Sequence, residues 1–131
     1  MSDPARRYEL LVLRSDFVIC RLGADAVIPA WIDGGSFWSV SRTLEELSIV
    51  CEEGNIPAGI EAESGFSCLE VVGPLELSMV GVLATLTAAL ADRDIAVFAI
   101  STFLTDYLLV RQLDLPDAID ALREGGHAVH F

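Results

Sequence analysis

The sequence predicts an α+β protein. Hydrophobic residues make up 53% of the 131 residues, which is enough to build a core. From residue 68 to residue 131, segments with strand periodicity and segments with helix periodicity follow one another as strand–helix–strand–strand–helix–strand. This order is that of a split βαβ, or ferredoxin-like, unit, in which one four-stranded sheet carries two helices on one face. The first half contains strand patterns and only short helical ones.

Four strands are predicted in the first half, at residues 8–13, 17–22, 36–42 and 47–51. The polar residues 14–16 between the first two favour a hairpin. The acidic segment 52–65 contains Gly54, Pro57 and Gly59, and predicts a helical turn followed by a linker. We therefore divide the chain into residues 1–65, a degenerate copy or sheet partner, and residues 66–131, the complete unit.

The second half is predicted in more detail. Met79, Leu83, Leu86 and Leu90 recur at helical spacing, and Ser78 is the candidate N-cap of this first helix. Gly125 and Gly126 end the second helix. The predicted elements are strands at 68–72, 95–101, 107–111 and 127–131 and helices at 79–91 and 116–124.

Charge excludes two classes of partner. Eight arginines, no lysine and 20 acidic residues give a net charge of −12, with an isoelectric point near 4.3. Nucleic acid and anionic membrane surfaces would repel such a chain. No apolar run is long enough to span a bilayer. Residues 1–7 lack the apolar centre of a signal peptide, so we expect a cytoplasmic protein.

Residue types that usually carry catalysis are sparse. Cys20, Cys51 and Cys68 each lie among apolar residues and are expected as buried thiols, with a reactive thiol as the alternative. The sequence contains neither a nucleotide-binding glycine motif nor a G-x-S-x-G motif. His127 and His130 have no matching ligands for a metal. We therefore expect no metal, no cofactor and no enzymatic activity; the alternative is a small enzyme that uses Asp106 or a cysteine.

The segment 73–83 joins a buried strand to the first helix. Backbone N–H groups and the positive end of the helix dipole meet at such a junction, where a carboxylate can bind. Gly81, predicted in the first helical turn, allows a ligand to approach the backbone. The structural alternative is an ordinary turn with a packing glycine.

A second polar segment follows the next strand. Ser101, Thr102, Thr105 and Asp106 place three hydroxyl groups and one carboxylate where an otherwise apolar strand ends. In a βαββαβ unit this strand end lies beside the start of the first helix, so an ammonium group could bind opposite a carboxylate-binding turn. The alternative is a polar hairpin turn.

A third polar group belongs to the first half. Arg42, Thr43 and Glu46 lie between two buried strands. Either a salt bridge fixes this turn, or the three side chains form the edge of a ligand site shared between the two halves.

Three runs of the sequence resemble a known family: SRTLEELSIVCEE, GPLELSMVGVLATLTAALADRDIAVFAISTFLTDYLLV and AIDALREGGHAVHF. They resemble the small tandem-ACT proteins of bacteria, which are similar to the ACT modules of lysine-sensitive aspartate kinases and of the animal cytosolic arginine sensor. The resemblance covers about residues 8–131. It implies two βαββαβ ACT units, of which residues 1–65 form the degenerate one and residues 66–131 the complete one.

The resemblance also implies amino-acid binding and self-association through the sheets. The family's ligand-binding positions match the following residues of this chain: Leu77, Ser78, Val80, Gly81, Val82, Leu83, Ala99, Ile100, Ser101, Thr102 and Asp106. We therefore expect a non-catalytic, homodimeric amino-acid sensor. The alternative is an interaction module that pairs with a partner enzyme and binds no small molecule.

Overall fold

The computed structural model describes residues 6–76 and 79–131. The strands of these residues are β1 (Glu9–Val12), β2 (Phe17–Leu22), β3 (Ser39–Arg42), β4 (Leu47–Glu52), β5 (Glu61–Val71), β6 (Phe98–Ser101), β7 (Asp106–Arg111) and β8 (Ala128–His130). The α-helices are α1 (Val82–Ala91) and α2 (Leu115–Glu124). No helix within the described ranges is long and apolar enough to cross a membrane.

The chain folds into two compact units. One comprises the segment up to Arg14 together with Ser67–Phe131, and the other comprises Ser15–Phe66. The long strand β5 contributes its C-terminal residues to the first of these units and its N-terminal residues to the second.

The unit that contains both helices has the strand order β6-β7-β5-β1-β8. From β5 to β8 it follows the predicted order strand–helix–strand–strand–helix–strand. The α+β, ferredoxin-like fold is thus confirmed. Strand β1 is an addition to this pattern, because it lies antiparallel to β5 and parallel to β8 between them.

The core of this unit lies between the helices and the sheet. Leu86 and Leu90 of α1 and Leu122 of α2 are fully buried against strand residues that include Leu69 and Leu108. Burial of each such side chain contributes roughly 1.5–3 kcal/mol. Helix α1 has no charged residue from Val82 to Ala91, so tertiary burial rather than surface charge determines how it packs.

The second unit is an antiparallel sheet of order β3-β4-β2-β5. Val18, Cys20, Ile49 and Cys51 point to the packed face and form its core with Leu47 and Ile32. Residues 15–66, all of which the structure describes, contain no α-helix, and their helical segments are two three-residue 3₁₀ turns. The short helices expected in this half are therefore single turns.

Three features of the first half differ from the prediction. Strand β3 starts at Ser39 instead of residue 36. The hairpin between residues 8–13 and 17–22 does not form, since β1 pairs with β5 and β8 whereas β2 pairs with β4 and β5. Residues 61–65 are strand rather than linker, because their backbone pairs with β2 opposite Cys20 and Arg21. Pairing with a neighbouring strand overrides the low strand propensity of the Glu-Ala-Glu-Ser-Gly segment.

The first helix begins later than predicted. It starts at Val82, not at residue 79, and its N-cap is Gly81, with φ +82° and ψ +11°, rather than Ser78. Gly81 is therefore outside the first helical turn. Strand β6 likewise starts at Phe98 instead of residue 95, because the Ile95 N–H donates to the Leu90 carbonyl and closes the end of α1.

The two compact units divide the chain after Arg14 and after Phe66. The predicted boundary after residue 65 lies next to the observed one, between Phe66 and Ser67, but a second boundary after Arg14 was not predicted. Residues 8–12 join the C-terminal unit because Tyr8 and Leu10 are buried in its core. The origin of the first half as a degenerate ACT unit stays a prediction.

Candidate functional site

The helix-containing unit has a cavity of about 400 Å³. Three segments line it: the loop after β5, the start of α1, and the turn between β6 and β7. Six of the predicted site residues line this cavity, namely Gly81, Val82, Leu83, Ser101, Thr102 and Asp106. Its volume is within the range of small-molecule sites.

The two loops of the cavity are fixed to each other. The Leu75 N–H donates to the Leu104 carbonyl at 2.7 Å, and the buried Thr105 hydroxyl donates to the Val71 carbonyl. A Cβ atom on Gly73 would lie 3.1 Å from the Leu104 oxygen, which is tight for any side chain. The walls are therefore preorganised by local hydrogen bonds, and Gly73 allows the close approach.

The N-terminus of α1 forms one wall. Its N-cap is Gly81, which has no side chain that could accept a helix N–H. The Thr85 N–H is the first to bond within the helix, to the Gly81 carbonyl at 2.9 Å. By helix geometry the N–H groups of Val82, Leu83 and Ala84 have no acceptor within the helix. Together with the positive end of the helix dipole, they can bind a carboxylate.

The β6–β7 turn forms another wall. Ser101 and Asp106 are directly paired across the two strands. The Ser101 hydroxyl donates to Asp106 Oδ1 at 2.6 Å. Thr102 and Thr105 close the turn through backbone and hydroxyl hydrogen bonds. The Asp106 carboxylate is therefore held at the cavity. Its Oδ2 atom has no hydrogen bond with a residue that the structure describes, so it can accept another donor such as an ammonium group.

Thr105 of the predicted polar segment also lines the cavity. The other lining residues were not predicted as site residues: Leu75, Glu76, Met79, Ala84, Phe103 and Leu104. Glu76 adds a second carboxylate, and none of the described lining residues is basic. Its position as the one charged residue of the segment 73–83 is a sequence feature that could have identified it. Glu76 and Asp106 make the side-chain charge of the cavity negative.

Several predicted residues lie elsewhere. Val80 is 58% exposed and, like Ala99 and Ile100, does not line the cavity. Leu77 and Ser78 lie outside the described residues. Ala99 and Ile100 are within β6, where their backbone pairs with β7.

The predicted residues of the first half belong to the second unit and serve a turn there. The guanidinium of Arg42 donates to the carbonyls of Ala24 and Ala26. The Thr43 hydroxyl accepts the backbone N–H groups of Glu45 and Glu46, each at 3.1 Å. The predicted residues Arg42, Thr43 and Glu46 do not line the 400 Å³ cavity. Glu46 lines a smaller cavity of about 200 Å³. The turn is thus fixed by hydrogen bonds to the backbone.

Comparison with known proteins identifies the family to which this chain belongs. A family model described as the ACT domain matches residues 61–124, and a model of an N-terminal domain matches residues 15–59. A protein from Agobacterium tumefaciens of known structure is 40% identical, with a TM-score of 0.90 over 95% of this chain and 93% of its own. The chain belongs to the family of small ACT-domain proteins.

More distant structures share the fold of this ACT-domain protein. A Vibrio cholerae protein of unknown function, described as a possible transport protein, is 22% identical with a TM-score of 0.74, over 90% of this chain and 89% of its own. The aspartate kinase of Clostridium acetobutylicum is 13% identical with a TM-score of 0.63; 86% of this chain matches 33% of the kinase. An ACT domain is a regulatory, ligand-binding module, and this is the functional class of the chain.

Proposed function

We propose that this ACT-domain protein is a non-catalytic sensor that binds a free amino acid in the 400 Å³ cavity. The single observation that supports this function is that one cavity is lined both by a group that can bind an anion and by a group that can bind a cation. The N–H groups at the start of α1, which have no acceptor within the helix, suit a carboxylate, and Asp106 suits an ammonium group. An α-amino acid carries both charges on neighbouring atoms.

The chemistry of the chain supports binding rather than catalysis. Burial raises the pKa of the Cys51 thiol to about 11 and that of Cys68 to about 12, and also raises the pKa of Cys20. Thiols with such pKa values are not nucleophiles near neutral pH. The same three free thiols are typical of a reducing compartment, so we propose a cytoplasmic location.

A thermal-shift screen of the twenty amino acids, followed by calorimetry, tests the proposed function. A ligand at 100 times its Kd should add about 2.7 kcal/mol of stability. Asp106→Asn should weaken binding by about 10- to 150-fold, since a charged hydrogen-bond partner contributes about 1.5–3 kcal/mol. The control is Asp120→Asn, which removes one charge from the exposed face of α2.

Failure of all twenty amino acids to shift the melting temperature would contradict amino-acid binding. Unchanged affinity in a folded Asp106→Asn variant would contradict the role of this carboxylate and direct the search to another part of the cavity.

We further propose that the protein is a homodimer that associates through strand β6. Among the described strands β6 pairs only with β7, so its other edge is open. Residues 95–105 contain no charged side chain, and Phe98 and Phe103 within them are exposed. An uncharged edge strand favours pairing with another strand. A second copy fits this edge, because a chain of net charge −12 can approach itself most easily where it carries no charge.

Sedimentation at micromolar concentrations should show a dimer in the wild type and a monomer in Ala99→Glu, which places a charge on the exposed edge. A monomeric wild type that is captured by a partner enzyme would instead favour the interaction-module alternative.

A further inference from the structure

We infer that the open edge of strand β3 is an interaction surface for a protein partner, which adds an extended strand of alternating apolar and basic residues. In the strand order β3-β4-β2-β5, β3 is the end strand, so one of its edges pairs with no strand that the structure describes. Strand β3 belongs to the unit Ser15–Phe66, and the 400 Å³ cavity belongs to the other unit. The inference therefore does not depend on the proposed amino-acid site.

The backbone of β3 presents hydrogen-bonding groups at this edge. The Thr43 N–H donates to the Glu46 carbonyl at 2.9 Å, and this bond closes the β3–β4 hairpin. Hydrogen-bonded and non-hydrogen-bonded pairs alternate along an antiparallel ladder. The next pair contains Arg42 and the third contains Val40, so the N–H and C=O groups of both residues point away from β4. An added strand can pair with these groups.

The sequence of β3 contains little that protects an edge. Edge strands are commonly protected by lysine, by proline or by a bulge. Residues 39–42 are Ser-Val-Ser-Arg, and their pairing with β4 shows no shift of register. The guanidinium of Arg42, the one charged group of the strand, donates to the carbonyls of Ala24 and Ala26. It is therefore held by the chain itself.

Exposed apolar side chains surround β3. Trp38 precedes the strand and is exposed, and Leu44 follows it and is 99% exposed. Val27 is also exposed and adjoins the segment that Arg42 holds beside the strand. Val40 packs against the core of this unit, so the face of β3 that carries it is apolar. Apolar residues of an added strand would continue this face.

The other face of β3 is polar and lies near carboxylates. Ser41 is directly opposite Ser48 of β4, and Ser48 lines the cavity of about 200 Å³. The described lining of that cavity also includes three glutamates and one basic residue: Glu46, Glu61, Glu63 and Arg21. Successive side chains of a strand point to opposite faces. An added strand with apolar residues on one face therefore places lysine or arginine on the face of these carboxylates.

Charge favours such a partner over a second copy of this chain. Nine acidic residues and two arginines give residues 15–66 a net charge of −7. Exposed acidic residues also flank the strand, since Asp25 lies in the segment that Arg42 holds and Glu45 lies in the β3–β4 turn. A second copy would bring the same charges to this edge, and like charges repel. A basic strand gains attraction from them.

A short synthetic peptide of alternating valine and lysine residues tests the inference by fluorescence anisotropy. It should bind the wild-type protein at least about tenfold tighter than a peptide with glutamate in place of lysine. A fully N-methylated valine–lysine peptide keeps its charge but cannot donate backbone hydrogen bonds, so it should also bind about tenfold more weakly. This peptide separates strand pairing from unspecific attraction to an acidic protein.

Two variants locate the binding edge. Val40→Pro removes an N–H that points away from β4, a change that edge strands tolerate, and should weaken binding of the valine–lysine peptide by about tenfold. Ala99→Glu, at the edge of β6, is the matched control and should bind the peptide within about twofold of the wild type. Sedimentation should give the reverse pattern, with the proposed dimer lost in Ala99→Glu and retained in Val40→Pro.

The other outcomes would overturn the inference. Equal binding of the N-methylated and unmodified peptides would show that charge alone attracts them. Loss of peptide binding in Ala99→Glu, but not in Val40→Pro, would place the added strand on β6. Loss of the dimer in a folded Val40→Pro variant would assign the β3 edge to a second copy. If Val40→Pro does not fold, the three peptides decide the question on the wild-type protein and on Ala99→Glu.

Discussion

Gly81 determines where α1 begins, at the end of the helix that lines the cavity. Its φ of +82° is in the left-handed region, in which a Cβ atom clashes with the backbone. Asparagine tolerates this conformation better than other residues that have a side chain. The glycine is therefore required by backbone geometry, and a valine at this position would strain the fold as well as fill the site.

We predict that Gly81→Ala lowers the free energy of unfolding by about 1–2 kcal/mol and that Gly81→Asn costs less. Urea denaturation of the two variants measures the difference. An alanine variant as stable as the wild type would show that the left-handed conformation is not retained in solution.

His127 connects the N-terminal segment to the sheet. Its Nδ1 atom accepts the backbone N–H of Tyr8 at 3.1 Å, and its ring stacks on the Tyr8 ring with centroids 5.6 Å apart. Burial, and then the charge of Arg7, lower the pKa of His127 below its ordinary value of 6.5. The neutral imidazole is the form that can accept the Tyr8 N–H.

Between the lowered pKa and about 6.5, the folded protein binds fewer protons at His127 than the unfolded chain does. We therefore predict that this contribution to stability is complete above pH 6.5 and is lost as the pH falls to the lowered pKa. In His127→Asn, whose amide oxygen can still accept the Tyr8 N–H, the loss between about pH 7 and 5 should be smaller. His130 is 55% exposed and lies 3.5 Å from the Glu9 carboxylate, and an ion pair at such an exposed position contributes little, so His130→Asn should change the pH profile little. An unchanged pH profile in His127→Asn would contradict this coupling.

Helix α1 is held by its buried leucines rather than by its surface. Leu86 is fully buried, whereas Ala84 and Ala88 on the opposite face are exposed. The helix has ten residues, too few to be stable in isolation, so its packing against the sheet maintains the N-terminus that lines the cavity.

We predict that Leu86→Ala lowers the free energy of unfolding by about 2–5 kcal/mol, through lost transfer energy and a residual cavity. Leu113→Ala, at a side chain that is 95% exposed, should change it by less than about 0.5 kcal/mol. The two urea midpoints provide the comparison. Equal midpoints would mean that α1 is not packed as described.

For the whole molecule, the net charge of −12 opposes self-association at every distance shorter than the screening length. Raising the ionic strength from about 0.01 M to about 0.15 M shortens that length from about 30 Å to about 8 Å. We predict that the proposed dimer becomes tighter over this range in sedimentation experiments. Weaker association at the higher ionic strength would indicate an interface of opposite charges instead of the uncharged β6 edge.

The order of elements in the second half was predictable, because each helix and strand has its own apolar period. The spacing of Met79, Leu83, Leu86 and Leu90 predicts α1, and the glycines after residue 124 predict the end of α2. The start of α1 was not predictable in this way, since the conformation of Gly81 depends on how the loop before it is held. Glu76 was not predicted as a site residue, because a single acidic residue is not distinctive in a chain that has 20 of them.

The fold class, the family resemblance and the two polar segments, 73–83 and 101–106, were thus predictable from the sequence, since they depend on local periodicity and short motifs. The folded chain was needed to show that β1 leaves the first half to lie between β5 and β8, that residues 61–65 become strand, and that Glu76 and Asp106 line one cavity. Such pairings join residues far apart in the chain, and their free energy comes from backbone hydrogen bonds and burial that no local pattern encodes.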